Sequence, residues 1–167
     1  MTIRVVHYIN QFYAGLGGEE EANKLPEGRE GFVGPGMQLA ALMGDRATVV
    51  GTVICGDGFY GEHTEEAREE CLKLIGSFKP DLLVAGPGFN AGRYGFACGD
   101  ICSTVGKALG IPTVTALYPE NPGVELFAKN TVIVQAADSA RGMKAALEGL
   151  ARIGLKLAKG EALGPAR

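Results

Sequence analysis

Short runs of β-branched and aliphatic residues alternate along the chain with longer stretches whose apolar positions recur every three or four residues. That alternation is the signature of βαβ units around a mainly parallel sheet. The apolar runs predict strands at Ile3 to Ile9, Ala47 to Cys55, Asp81 to Ala85, Pro112 to Leu117 and Thr131 to Gln135. Each is rich in Val, Ile, Leu or Thr, as strands covered on both faces should be. The periodic stretches predict a short helix over Met37 to Met43 ended by Gly44, and a second opening at Thr64 as its cap. The second carries the stripe Ala67, Cys71, Leu74, Ile75 and Phe78 and stops at Lys79-Pro80. A third runs from Tyr94 to Leu109 with Gly110 at its end, and the last is capped by Asp138 or Ser139 and reaches about Lys159. The expected architecture is a single three-layer α/β domain over residues 1–167. Its type is Rossmann-like or flavodoxin-like, with a mainly parallel sheet of about five strands.

The connection from Asn10 to Pro35 breaks this rhythm. A link of that length without regular structure is uncommon inside a compact domain and usually means a functional loop, an interface or disorder. Its aromatics, glycines and carboxylate run, from Gln11 through Glu21, favour a shaped loop.

Composition adds one strong signal: 26 glycines with no fixed period, which places many backbone turns and close approaches in the loops. The net charge of −3 and the scattered Lys and Arg give no basic stripe for nucleic acid. No stretch approaches the roughly 18 to 20 apolar residues of a membrane span, and the amino terminus lacks a signal-peptide layout, so the expected compartment is the cytoplasm. Cys55, Cys71, Cys98 and Cys102 match neither a zinc nor a thioredoxin spacing and are expected to be reduced thiols. His7 and His63 form no metal motif, and no metal is expected.

In open parallel sheets, ligands bind outside the carboxyl ends of the strands, where strand order reverses. The segments there form a consistent set: Asn10 with Gly17-Gly18-Glu19-Glu20, Cys55-Gly56-Asp57-Gly58, Gly86 to Tyr94, and Tyr118-Pro119-Glu120-Asn121-Pro122-Gly123. Candidate ligand-binding residues are Asn10, Gly17, Gly18, Glu19, Cys55, Asp57, Gly88, Asn90, Arg93, Tyr94, Tyr118, Glu120 and Asn121. The third segment is the most informative. Its glycines and Pro87 are expected to bend the chain while Asn90, Arg93 and Tyr94 present donors at a helix amino terminus, which suits a carboxylate or phosphate. The bland alternative is a tight strand-to-helix turn with Arg93 as a surface charge. Gly86-x-Gly88 with Gly92 is not a dinucleotide fingerprint, because the third glycine is misplaced and Pro87 stiffens the turn. The run Glu19-Glu20-Glu21 is either a solvated face or a group that orients an amine. Cys55 could act as a thiolate, yet Asp57 beside it would raise its pKa, and packing is the commoner role of a free cysteine. Cys98 and Cys102, four apart on one helical face, read as core.

Six blocks together carry a resemblance: His7 to Phe12, Gly17 to Glu20, Gly34-Pro35-Gly36, Val53 to Asp57, Ala85 to Gly95, and Glu120 to Val124. They resemble the selenoprotein B subunit of the glycine, sarcosine and betaine reductases, in order, from about Ile3 to about Gly160. The resemblance implies a substrate-specific component of an anaerobic amino-acid reductase that acts on a small amino acid or betaine. It implies a pyruvoyl-bearing partner subunit and a small selenoprotein A-like carrier that receives a carboxymethyl group, and hence an oligomeric assembly. In that scheme a selenolate displaces the substrate amine, and Arg93 with its loop would hold the substrate carboxylate. The family's subunit is longer, and its selenocysteine lies beyond the position of Arg167. No nucleophile is therefore assigned here, no cofactor is expected in this chain, and the chain alone is expected not to turn over substrate. Two other readings stay open: a non-catalytic binding or assembly module that docks through the Asn10 to Pro35 loop, and an enzyme using Cys55.

Overall fold

The computed structural model describes residues 2–161. Six strands form one mixed, mostly parallel sheet: β1 (Ile3–Asn10), β2 (Glu27–Glu30), β3 (Ala47–Cys55), β4 (Leu82–Phe89), β5 (Thr113–Leu117) and β6 (Val132–Gln135), in the order β2-β3-β1-β4-β5-β6. Only β2 runs antiparallel, against β3. The helices are α1 (Gly36–Met43), α2 (Asp57–Glu62), α3 (Thr64–Ser77), α4 (Gly92–Leu109), α5 (Pro122–Phe127) and α6 (Met143–Ala158).

Successive strand residues point to opposite faces, and this splits the core in two. Val6, Tyr8, Leu83 and Ala85 pack against α2, α3 and α4. Val5, Leu82, Val84 and Val114 pack against α1 and α6. The four strands β1, β3, β4 and β5 are therefore almost continuously buried, which is why they read as unbroken apolar runs. A buried polar cluster ties three helices together on the first face. The Tyr60 hydroxyl donates to Asp100 at 2.6 Å, and Arg68 donates to both Asp100 oxygens at 2.7 Å.

Four details differ from the sequence expectations. The sheet has a sixth strand, β2, inside the Asn10 to Pro35 connection. Its residues are Glu-Gly-Arg-Glu, without an apolar side chain, and it sits at an edge where Gly28 lies flat against Leu74 and Phe78. The third apolar run continues through Gly86-Pro87-Gly88 to Phe89. Here the strand has a register shift between Ala85 and Phe89, and an irregular stretch asks no ladder hydrogen bond of the proline. Thr64 does not cap its own helix; its hydroxyl donates to the Tyr60 and Gly61 carbonyls at the end of α2. Ser139 caps a 3-10 turn, Ala140–Gly142, that leads into α6. The Gly110 stop matches, with φ of 68° at the end of α4. α2 and α5, six residues each, are too short for a periodic stripe.

Candidate functional site

After β1 the chain turns over the carboxyl edge of the sheet, and Asn10 fixes that turn. Its side-chain oxygen accepts from Tyr13 N at 2.9 Å, while its Nδ2 donates to Asp57 Oδ2 at 2.9 Å. Gln11 makes a second tie: its Oε1 accepts from Asp57 N at 3.2 Å and its Nε2 donates to the Gly18 carbonyl at 3.2 Å. Further along, Gly56 N donates to Lys24 O at 2.9 Å and Phe59 N to Ala22 O at 3.0 Å. The long connection is thus strapped to the start of α2 by backbone and side-chain bonds.

From the other side, β4 ends at Phe89 and α4 begins at Gly92, so the intervening turn is only Asn90-Ala91. Gly88 does not bend this turn; it lets α4 lie close, and a Cβ there would stand 3.3 Å from Gly95 Cα and 2.7 Å from the Leu117 side chain. Ala91 provides no side-chain cap, so the first N–H groups of α4 keep their positive ends free. Between the two segments lies a cleft of about 500 Å³. Asn10, Gly18, Glu19 and Asp57 line one wall, Gly88, Asn90, Arg93 and Tyr94 the other. This is the place where strand order reverses, since the chain steps from β1 to β3 on one side and later to β4 on the other.

Charges in the cleft are arranged in two layers. At the surface, Arg93 donates to both carboxylate oxygens of Glu19 at 2.5 Å, across 74 residues of sequence. That bond holds the Glu19 carboxyl below its usual range and raises the Arg93 guanidinium. Beneath it, Asp57 is buried. Burial pushes its carboxyl up to about 6, against the opposing pull of the Asn10 hydrogen bond and the nearby Arg93 charge. Tyr13 stacks on Tyr94 at 5.6 Å between ring centres and stands 6.4 Å from Phe89, giving the cleft an aromatic side.

The other candidates lie outside the cleft. Asn121 is buried behind it, donating to the Phe89 and Ala91 carbonyls at 3.0 and 3.1 Å and accepting from Gly123 N at 2.8 Å. It shapes the Asn90-Ala91 turn from below. Tyr118 and Glu120 hydrogen-bond each other at 3.4 Å on the surface, and Gly17 shapes the loop with φ of 140°. Cys55 faces the core under α3, beside Cys71, and is parted from Asp57 because β3 ends at Cys55 and the chain turns at Gly56 into α2, which Asp57 opens. All four cysteines are buried, and none lines the cleft. Among the described residues no group of three or more His, Cys, Asp or Glu side chains could hold a metal ion. None of the described helices is long and apolar enough to cross a membrane.

The glycine/sarcosine/betaine reductase selenoprotein B family matches residues 2–167 of the chain. The chain belongs to this family. Family relatives include the sarcosine reductase complex component B subunit beta of Peptoclostridium acidaminophilum, 55% identical over 98% of this chain. The glycine reductase complex component B subunit gamma of Carboxydothermus hydrogenoformans is 53% identical over 96% of it. The betaine reductase complex component B subunit beta of Peptoclostridium acidaminophilum is 37% identical over 98%. In each case the chain spans 37% of the relative's length. No solved structure matches the chain.

Sequence reasoning missed several cleft residues of this family member. Gln11, Tyr13 and Phe89 lie in segments already marked as loop or strand, and Asp138, Ser139 and Ala140 come from the turn after β6. The last three also lie beyond a strand end, that of the fifth apolar run, so the strand-end rule covers them as well. A larger groove of about 750 Å³ lies on the far flank between α4, α5 and β6, beside Lys107, Lys129 and Ile133. It holds none of the cleft's hydrogen-bonded polar groups, and it lies away from the reversal of strand order.

Proposed function

We propose that this cleft is part of the substrate pocket of a glycine-, sarcosine- or betaine-reductase component B, and that the chain positions a small amino acid or betaine. The observation that carries the reading is Arg93 at the amino terminus of α4, facing a buried carboxylate across a cleft at the reversal of strand order. With the antiparallel edge strand set aside, the parallel strands follow the order second, first, third, fourth, fifth. This supports a flavodoxin-like, doubly wound reading as one domain. The ligand carboxylate takes the place of Glu19 on the guanidinium fork, aided by the free N–H groups that open α4. Asn121 and Asn10 keep the two walls in register, and the aromatic side displaces water from the apolar part of the ligand.

The remaining components belong to the same proposal and rest on the resemblance to the reductases alone. The selenolate comes from a segment or subunit outside the described residues, since no cysteine opens into the cleft. A pyruvoyl-bearing subunit and a selenoprotein A-like carrier complete a cytoplasmic, oligomeric complex. Ligand-dependent stabilisation tests the reading, because a ligand that binds only the native state at 100 times its Kd adds about 2.7 kcal/mol. Glycine, sarcosine, betaine and acetate are each added to the protein and to Arg93→Gln in a thermal melt. At least one should raise the Tm of the protein and fail to do so in the variant; if all four leave both unchanged, the assembly-module reading takes its place.

A further inference from the structure

Two polar atoms in the floor of the cleft have no hydrogen-bond partner: Asp57 Oδ1 and the Tyr94 hydroxyl. Asp57 is 9% exposed and Tyr94 2%, so neither atom is compensated by bulk water. An unpartnered buried acceptor loses its solvation without return, and a carboxylate loses more than a neutral group. Only Oδ2 is satisfied, by Asn10 Nδ2. The nearest cation does not fill the gap, since the Arg93 guanidinium makes its hydrogen bonds to Glu19. The floor therefore presents a negative charge with a vacant acceptor, beside the mutually stacked rings of Tyr13 and Tyr94. A small cation that carries N–H groups meets both demands.

We infer that Asp57 is the amine subsite of the cleft, accepting an N–H from a primary or secondary ammonium through Oδ1 while Arg93 holds the same ligand's carboxylate. The inference rests on the cleft being the pocket for a small amino acid. It also reassigns the amine-orienting role that the Glu19-Glu20-Glu21 run suggested, because the Glu19 side chain is 72% exposed and solvated and Glu20 accepts from Gly18 N, whereas Asp57 is buried with a vacant acceptor. Oδ1 is sealed in the ligand-free fold, so the ligand must part the loop above it. The structure supplies the means: a carboxylate that replaces Glu19 on Arg93 undoes the bond that ties this loop to α4, and Gln11 links the same loop to Asp57. A trimethylammonium has no N–H to give. Asp57 thus selects glycine or sarcosine over betaine.

Calorimetric titration with acetate, sarcosine and betaine, on the protein and on Asp57→Asn, decides the matter. Sarcosine should bind about tenfold or more tightly than acetate, the worth of one hydrogen bond between charged groups. Betaine should show no such gain. Asp57→Asn should remove the advantage of sarcosine over acetate, while acetate binds at least as tightly because a negative charge has left the cleft. The inference is overturned if sarcosine binds no better than acetate, if betaine matches sarcosine, or if the advantage survives in Asp57→Asn. Acetate binding without an amine advantage overturns the subsite alone and leaves the carboxylate pocket standing; absence of all binding overturns both. Should the variant fail to fold, the ranking of the three ligands on the unaltered protein still decides.

Discussion

Replacing Asp57 by Asn removes a buried charge while keeping the shape of the side chain, and its effect on stability can be worked out with its sign. Burial lifts the carboxyl from the usual 3.8 to about 6. At 1.36 kcal/mol per tenfold change in proton affinity, ionised Asp57 lowers stability by about 3 kcal/mol. The folded chain holds this proton more tightly than the unfolded chain does. Its contribution is therefore fully present below pH 3.8 and is lost as pH rises through about 6. The new amide can still accept from Asn10, but its NH2 group enters the sealed position of Oδ1, which costs about 1–2 kcal/mol. Asp57→Asn should gain about 1–2 kcal/mol at pH 7.5 and lose about 1–2 kcal/mol at pH 3.5. His7 tilts the other way, since burial pushes its imidazole down to about 4 and stability falls as pH drops from 6.5 towards that value. Its slope is common to protein and variant and cancels in the difference. Urea unfolding of both proteins across this pH range measures the crossover. A difference that is the same at both ends, or destabilisation at pH 7.5, would refute the reasoning. With the ligand titration, the expected pattern is a variant that is more stable at neutral pH and indifferent to amines.

Three further substitutions probe the frame of the cleft. Asn121→Ala removes three hydrogen bonds behind the Asn90-Ala91 turn and should lower stability by about 2–3 kcal/mol in urea melts while weakening acetate binding. In Gly56→Ala the new methyl would stand 2.3 Å from Ala22 O, so the strap over α2 must shift; a loss of about 1–3 kcal/mol and faster amide exchange at Phe59 should follow. Arg68→Met leaves buried Asp100 with the Tyr60 hydroxyl alone. It should cost about 2 kcal/mol by thermal melting, less than a fully sealed pair because Arg68 is partly solvated, with no change in ligand binding.

Strands buried on both faces were plain in the sequence, because Val5-Val6 or Leu82-Leu83-Val84 must be apolar on either side. Long helices were plain too, down to the Gly110 stop. Elements held by tertiary contact alone were not. β2 has no apolar residue and exists by pairing with β3 beneath Phe78, and Gly86-Pro87-Gly88 reads as a breaker although it lies within a strand. Strand-end glycines pointed to the rim where the cleft lies, yet which side chains face it depends on where each strand gives way to a helix and on long-range bonds. Cys55 and Asp57 are two apart in sequence and end in different places. The Glu19 and Arg93 pairing spans 74 residues and leaves no local trace.

The claim on which the rest depends is the location of the ligand, and nitrogen-resolved NMR titration with sarcosine tests it most directly. The amides of residues 10–13, 18–19 and 90–94 should shift together and saturate, while those of Lys107 and Ile133 in the far groove stay still. Shifts confined to the far groove, or none up to saturating sarcosine, would contradict the account.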